Sequence, residues 1–190
     1  MPEAGIGARL PRMAGKPPDA AKLYEAALNH LTRYAATQAG LARVLGRRID
    51  RWARLYADAD AEETTAAAAQ ARAEIPGVIA RLQAEGVLDD AAFAASRAKR
   101  LTREGKSRRA VQAHLAAKGV RGAEIAEDPQ RELAAACAYL RRRRAGPFGE
   151  APELKTLAAL GRGGFSQEVA RRAMAMERAA AEALIKTLHE

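Results

Sequence analysis

The feature that most limits what this chain can fold into is its supply of apolar side chains, about half of which are alanine. Valine, isoleucine and threonine, which favour strands, together number only 19 of the 190 residues. Alanine and long charged side chains favour helix instead. We therefore predict an all-α protein with thin cores, because alanine removes little apolar surface from water.

The chain is strongly basic, with 32 lysines and arginines against 23 acidic residues, a formal charge of +9 and a pI near 10.2. An excess of this size predicts attraction to polyanions. Arginine accounts for 25 of the basic residues. That preference also has a compositional explanation, because GC-rich genomes encode both alanine and arginine abundantly.

Cysteine usage and hydropathy predict a cytoplasmic location. The single cysteine, Cys137, cannot form an internal disulfide, which fits a reducing compartment. The sequence has no apolar stretch long enough to span a bilayer, and its start, MPEAGIGARLPRMAGKPPDA, lacks the apolar core of a secretion signal. We expect a soluble protein without a membrane partner.

One tripeptide, Gly105-Lys106-Ser107, is how a nucleotide-binding P-loop ends. That loop requires another glycine five positions earlier and a preceding buried strand, yet Arg100 occupies the position and the upstream residues favour helix. The alternative is a turn in which Gly105 ends one helix and Ser107 caps the next. The context favours the turn.

Similar turns recur along the chain. Thr37, Ser107 and Ser166 each stand as a predicted N-cap, followed by apolar residues four and eight positions later. The caps lie about 60 to 70 residues apart, a spacing that suggests tandem repeats. Further helices are predicted to open at Asp60 and at Asp128, and Pro76 should kink or split the first of these.

These patterns predict tandem three-helix repeats stacked in an elongated, curved array. The boundaries we predict are a flexible basic tail over 1–20 and helical repeats over 21–86, 87–145 and 146–190. The tail is assigned because its prolines, glycines and basic residues bury too little apolar surface to fold.

Few residues of the sequence suggest a catalytic or metal-binding role. Asp89 and Asp90 precede a helix and have no partner at metal-ligand spacing, which favours helix capping. Cys137 and the three histidines show no catalytic spacing, and neither paired carboxylates nor a triad is found. We therefore expect no enzyme, no cofactor, no metal and no small-molecule substrate. Trp52 lies among arginines at 47, 48, 51 and 54. Two roles of its ring are open, core packing and stacking on a base, and core packing is favoured.

Two basic clusters are candidates for contact with a partner or with DNA. A helical wheel places the first on one side of the helix that follows Asp90 and in the next turn. The second closes the helix that begins after Asp128, where the helix dipole also favours cations. The predicted binding residues are Lys99, Arg100, Arg103, Lys106, Arg108, Arg109, Arg141 and Arg142.

The run from Gly86 to Val120 resembles the central signature of the RecX family of bacterial recombination regulators. The matching elements are Leu88-Asp89-Asp90, Phe93-Ala94, Gly105 before Ser107, Leu115 and Lys118-Gly119-Val120. Flanking segments, ALNHLTRYAATQAGL and LKTLAALGRGGFSQEVARRAM, resemble the first and last helix pairs of the family. The resemblance spans about 23–176.

This resemblance implies a fold of tandem three-helix repeats and a regulatory rather than catalytic role. Members of the family bind the filament that the RecA recombinase forms on single-stranded DNA, and they restrain recombination and ATP hydrolysis by that filament. The expected partners are therefore the RecA filament and the single strand within it, with an effect on homologous recombination and DNA repair. The alternative is a nonspecific basic helical protein that binds DNA or RNA.

Overall fold

The computed structural model describes residues 15–56 and 61–189, and every regular element within those ranges is helical, which confirms the all-α prediction. The chain divides into two compact units, the first ending at Leu88 and the second beginning at Asp89. The helices are α1 Ala20–Leu31, α2 Gln38–Tyr56, α3 Ala61–Ala73, α4 Ile75–Ala84, α5 Asp90–Arg103, α6 Arg108–Lys118, α7 Pro129–Arg143, α8 Glu153–Arg162, α9 Gln167–Met174 and α10 Arg178–Lys186. No helix in these two ranges is long and apolar enough to cross a membrane.

The first unit packs α1 to α4 around a core of leucine and isoleucine. From α2, Leu41, Leu45 and Ile49 are fully buried, each one helical turn from the next. This spacing places them on one face of the helix, so the opposite face of α2 is left to the solvent. The core of this unit also takes side chains from α1, α3 and α4.

Pro76 separates α3 from α4, as predicted. Helix α3 ends at Ala73, and Pro76 lies in the first turn of α4, where a missing N–H costs nothing. The cap predicted at Asp60 lies outside the described residues.

The start of the first unit differs from the predicted boundary at residue 20. Helix α1 begins at Ala20, because the carboxylate of Asp19 accepts a hydrogen bond from the backbone N–H of Lys22. Pro18 is buried, and the carbonyl of Gly15 accepts the indole N–H of Trp52 at 2.9 Å. Residues 1–14 of the predicted tail lie outside the described part of the chain.

The second unit contains α5 to α10 and two cores. A small core joins α5 to α6 through Ala94, Leu101, Val111 and Leu115. After α6, residues 120–128 run without helix, and Val120 and Ile125 of this segment cover the small core.

Helix α7 supplies nearly half of the buried residues of the larger core. Its residues from Leu133 to Ala138, together with Leu140, are buried in this core with residues of α8, α9 and α10, and Ala135 and Ala138 also lie close to Gly105 after α5. The four alanines within this run allow the helices to approach closely. In chain order α7 completes the second predicted repeat, yet its apolar face packs on the third. The division into three repeats stays a prediction.

The three predicted caps are confirmed. Thr37, Ser107 and Ser166 each accept a backbone N–H from the residue three positions later, and Thr37 and Ser107 are themselves buried. The predicted cap at Asp128 is also present, with Pro129 in the first turn of α7. The segment after α7 contains one 3-10 turn over Gly146–Phe148.

The turn predicted at Gly105 is confirmed in place of a P-loop. Gly105 has a φ of +70°, and the N–H of Lys106 donates to the carbonyl of Leu101, so the chain leaves α5 through a left-handed glycine. A Cβ atom at this position would lie 3.0 Å from the carbonyl oxygen of Ala135 in α7. Glycine is therefore needed both for the backbone conformation and for the close approach of α7.

Candidate functional site

The basic residues predicted on α5 are exposed or half-buried, and two of the three have partners. Lys99 is exposed and lines an open cleft of about 920 Å3 between α5 and residues 120–128. Arg100 forms an ion pair with Glu104 at 3.2 Å. Arg103 is half-buried, and its Nε donates to the carbonyl of Leu188 at 3.3 Å.

The turn and the start of α6 carry three further predicted residues. Lys106 and Arg109 are exposed. Arg108 is held by two carboxylates: its backbone N–H donates to Glu132 at 2.9 Å, and its guanidinium pairs with Glu127 at 3.3 Å. Arg108 and Arg109 both line a smaller cleft of about 290 Å3.

The carboxylate of Glu132 offsets positive charge at the start of α6. Its carboxylate is about half buried, and this desolvation raises its pKa, although the N–H of Arg108 and the positive charge of that side chain oppose the rise. A carboxylate that caps the start of α6 thereby offsets part of the nearby cationic charge.

At the end of α7, the two predicted arginines differ. Arg141 pairs with Glu182 of α10 at 3.1 Å, whereas Arg142 is exposed. Among the residues that the structure describes, four of the eight predicted binding residues form neither an ion pair nor a side-chain hydrogen bond. These four are Lys99, Lys106, Arg109 and Arg142.

A second basic surface lies on α2 in the first unit. It is formed by exposed arginines, and none of them has an acidic partner within 15–56 or 61–189. Four of them surround Trp52 in the sequence, but none is among the predicted binding residues. They are Arg43, Arg47, Arg48, Arg51 and Arg54.

The structure favours core packing over base stacking for Trp52. The ring packs against the core of the first unit, its centroid lies 5.6 Å from that of Tyr56, and its N–H is bonded to Gly15. A tryptophan held on both its ring and its N–H is not free to stack on a base.

The residues considered for catalysis or metal binding have structural partners. Asp89 caps α5 by accepting the N–H groups of Ala91 and Ala92. Burial raises the pKa of the Cys137 thiol to about 11, and its sulfur lies 3.6 Å from that of Met176. Within the described ranges, no three His, Cys, Asp or Glu residues come close enough together to hold a metal ion.

The surroundings of His114 favour its neutral form. Partial burial lowers its pKa, and the positive charges of Arg97, Lys118 and Arg100 lower it further, against the opposing charge of Glu104. The Nε of Arg97 donates to its Nε2 at 3.1 Å, a bond that only a neutral imidazole can accept.

Comparison with known proteins places this architecture in a family. Residues 89–127, which hold α5, α6 and most of the irregular segment after them, match the family model for the second three-helix domain of RecX. No solved structure matches the chain. The regulatory protein RecX of Myxococcus xanthus (strain DK1622) is 35% identical over 162 residues, which cover 79% of this chain and 82% of the relative. The chain therefore belongs to the RecX family of regulatory proteins.

Proposed function

We propose that this protein binds the filament of the RecA recombinase on single-stranded DNA and inhibits both strand exchange and ATP hydrolysis by that filament. It would act in this way on homologous recombination and DNA repair. The proposal extends the regulatory role of the family to a specific partner, and it assigns the chain no catalysis of its own.

The observation that carries the proposal is the overlap between the family match and a set of unpaired cations. Lys99, Lys106 and Arg109 all lie within 89–127, are exposed, and form no ion pair with any described residue. Exposed charges without partners are available to an acidic protein surface or to phosphates. The phosphates of the single strand recur along such a filament, so several weak contacts can add through high effective concentration.

The remaining predicted residues contribute less to this proposal. Arg100, Arg108 and Arg141 already have carboxylate partners, and Arg103 is bonded to a backbone carbonyl. The ion pairs are exposed and individually weak, so a partner can compete for these arginines. We therefore propose Lys99, Lys106, Arg109 and Arg142 as the leading contacts, with the other four in support.

The direct test is ATP turnover by active RecA on single-stranded DNA with increasing amounts of the purified protein. We expect turnover to fall as the protein is added. A protein that leaves turnover unchanged, and that does not sediment with the filament, contradicts the proposal.

A charge-reversal variant tests the assigned surface. In K99E/K106E/R109E, each lost contact removes up to about 1 kcal/mol, so half-inhibition should require about tenfold to a hundredfold more protein. The matched control is K155E/R162E/R171E, which changes the net charge equally at exposed, unpaired positions outside the predicted site. Equal losses in the two variants would show that net charge, and not this surface, is responsible.

The second candidate function is a general nucleic-acid binder, which the formal charge of +9 favours. It predicts affinity for any DNA or RNA that falls steeply with salt and needs no recombinase. Sedimentation with bare DNA and with filament at equal salt separates the two functions, because the proposed regulator prefers the filament.

A further inference from the structure

The arginines of α2 form an ordered row. At 100° per residue, Arg43, Arg47, Arg51 and Arg54 fall within an arc of about 80°, and at 1.5 Å per residue they extend about 16 Å along the helix. We call these four residues the α2 arginine row. Arg48 lies outside the arc, beyond Arg51.

The row faces solvent because the other side of α2 faces the core. Leu41, Leu45 and Ile49 are fully buried on that side, whereas all four arginines of the row are exposed. None of the four forms an ion pair with a residue in the described ranges. Asp50, the acidic residue of α2, is instead paired with Arg72 of α3.

The stability of the helix does not explain this arrangement. Like charges four residues apart destabilise a helix, and the row contains two such pairs, Arg43 with Arg47 and Arg47 with Arg51. The helix dipole favours cations only in the last turn, which includes Arg54 but neither Arg43 nor Arg47. A feature that opposes local stability in this way indicates a binding role.

The composition of the row favours a nucleic acid over a protein partner. Protein interfaces have an apolar or aromatic centre with charges at the rim, whereas interfaces with DNA are rich in positive charge. The centre of the row is arginine, and the exposed apolar side chain beside it, Leu55, lies at its end. Guanidinium groups also bind phosphate oxygens in a bidentate manner.

The straightness of the row favours a single strand over a duplex. The phosphates of a duplex follow a helical path, which curves away from a straight α-helix after a short contact. A single strand is flexible enough to follow a linear track of cations. We propose that the α2 arginine row binds the phosphates of single-stranded DNA, and that it does so without the recombinase, which goes beyond the function proposed above.

The test is binding of the full-length protein to a fluorescent oligothymidylate over a range of salt, without recombinase. Each lost phosphate contact should reduce the slope of log K against log salt by about 0.7, so R47Q/R51Q should reduce it by about 1.4 and weaken binding at low salt. The matched control, R171Q/R178Q, removes the same charge from exposed, unpaired positions in the second unit and should leave the slope unchanged.

Four results would overturn the inference. They are the absence of oligothymidylate binding at low salt, equal effects of the two variant pairs, competition by a duplex as strong as by the single strand, and loss of filament binding in R47Q/R51Q with unchanged DNA binding. The last result would indicate that the row contacts an acidic protein surface. Failure of the proposed function is separate, because the ATP turnover of RecA is not part of this measurement.

Discussion

The hydroxyl of Ser107 donates a hydrogen bond to the carbonyl oxygen of Gly163 at 2.6 Å, and the two residues lie 56 positions apart in the chain. The same oxygen atom of Ser107 accepts the N–H of Ala110 and caps α6. Ser107 is fully buried. The serine of a P-loop-like tripeptide is therefore occupied on both its donor and its acceptor side, and it joins the start of α6 to the turn after α8.

Replacing Ser107 with alanine should cost about 2 to 3 kcal/mol of unfolding free energy, since the variant loses a cap and leaves the Gly163 carbonyl without its partner. Ser166 provides a matched control, because it caps α9 but is exposed. S166A should cost about 1 kcal/mol. Urea unfolding of both variants measures the difference, and equal costs would mean that the bond to Gly163 contributes no stability.

Gly105→Ala should destabilise the protein more than Gly122→Ala. Both glycines have φ near +70°, so each alanine carries a strain of about 1 to 2 kcal/mol. Only at Gly105 would the new methyl group also meet α7, whereas at Gly122 it would enter open space. The melting temperatures of the two variants test the contribution of this contact. Similar melting temperatures would show that α7 moves aside at little cost.

The Cys137 thiol should resist alkylation and disulfide exchange in the folded protein. With a pKa of about 11, only about one thiol in a thousand is ionised at pH 8, and the side chain is fully buried. Reaction with a chromogenic disulfide should be slow in buffer. In urea, the same reaction should rapidly release one equivalent of the coloured thiolate. Rapid reaction without denaturant would contradict the burial of α7.

His114 should make the folded state less stable in mild acid. Its pKa is lowered in the folded protein, so the unfolded chain binds more protons as the pH falls below about 6.5. This contribution to stability is complete above that pH and is lost as the pH falls through the lowered pKa. Unfolding midpoints at about pH 7.5 and pH 5.5 measure the loss.

In H114Q, the amide oxygen can still accept the N–H of Arg97, but the titration is removed. The variant should therefore lose less stability than the parent protein over the same pH interval, because the other titrating groups are common to both. An identical loss would assign the acid sensitivity to other groups.

The elements that depend on local sequence were predictable. Thr37, Ser107 and Ser166 cap helices because a hydroxyl placed just before an apolar repeat meets the first free N–H groups of its own helix. Gly105 and Pro76 act on the backbone within one or two residues of themselves. The bond from Ser107 to Gly163 could not be predicted in this way, since it depends on how distant helices pack.

The same distinction applies to the cationic surface. A helical wheel places basic residues on one side of α5, but it cannot show their partners. Leu188 and Glu182, the partners of Arg103 and Arg141, come from the far end of the chain. A helical wheel of α2 places its arginines opposite Leu41 and Leu45, so this basic surface is predictable from the sequence.

The position of α7 affects how this protein can be shortened. A chain ended at residue 145 would keep every helix of the second predicted repeat, yet it would uncover the apolar side chains of α7 that pack on α9 and α10. Newly exposed apolar side chains promote aggregation and proteolysis. The last 45 residues are therefore needed to cover α7. To obtain separate modules, the chain should be divided after Leu88 rather than after residue 145.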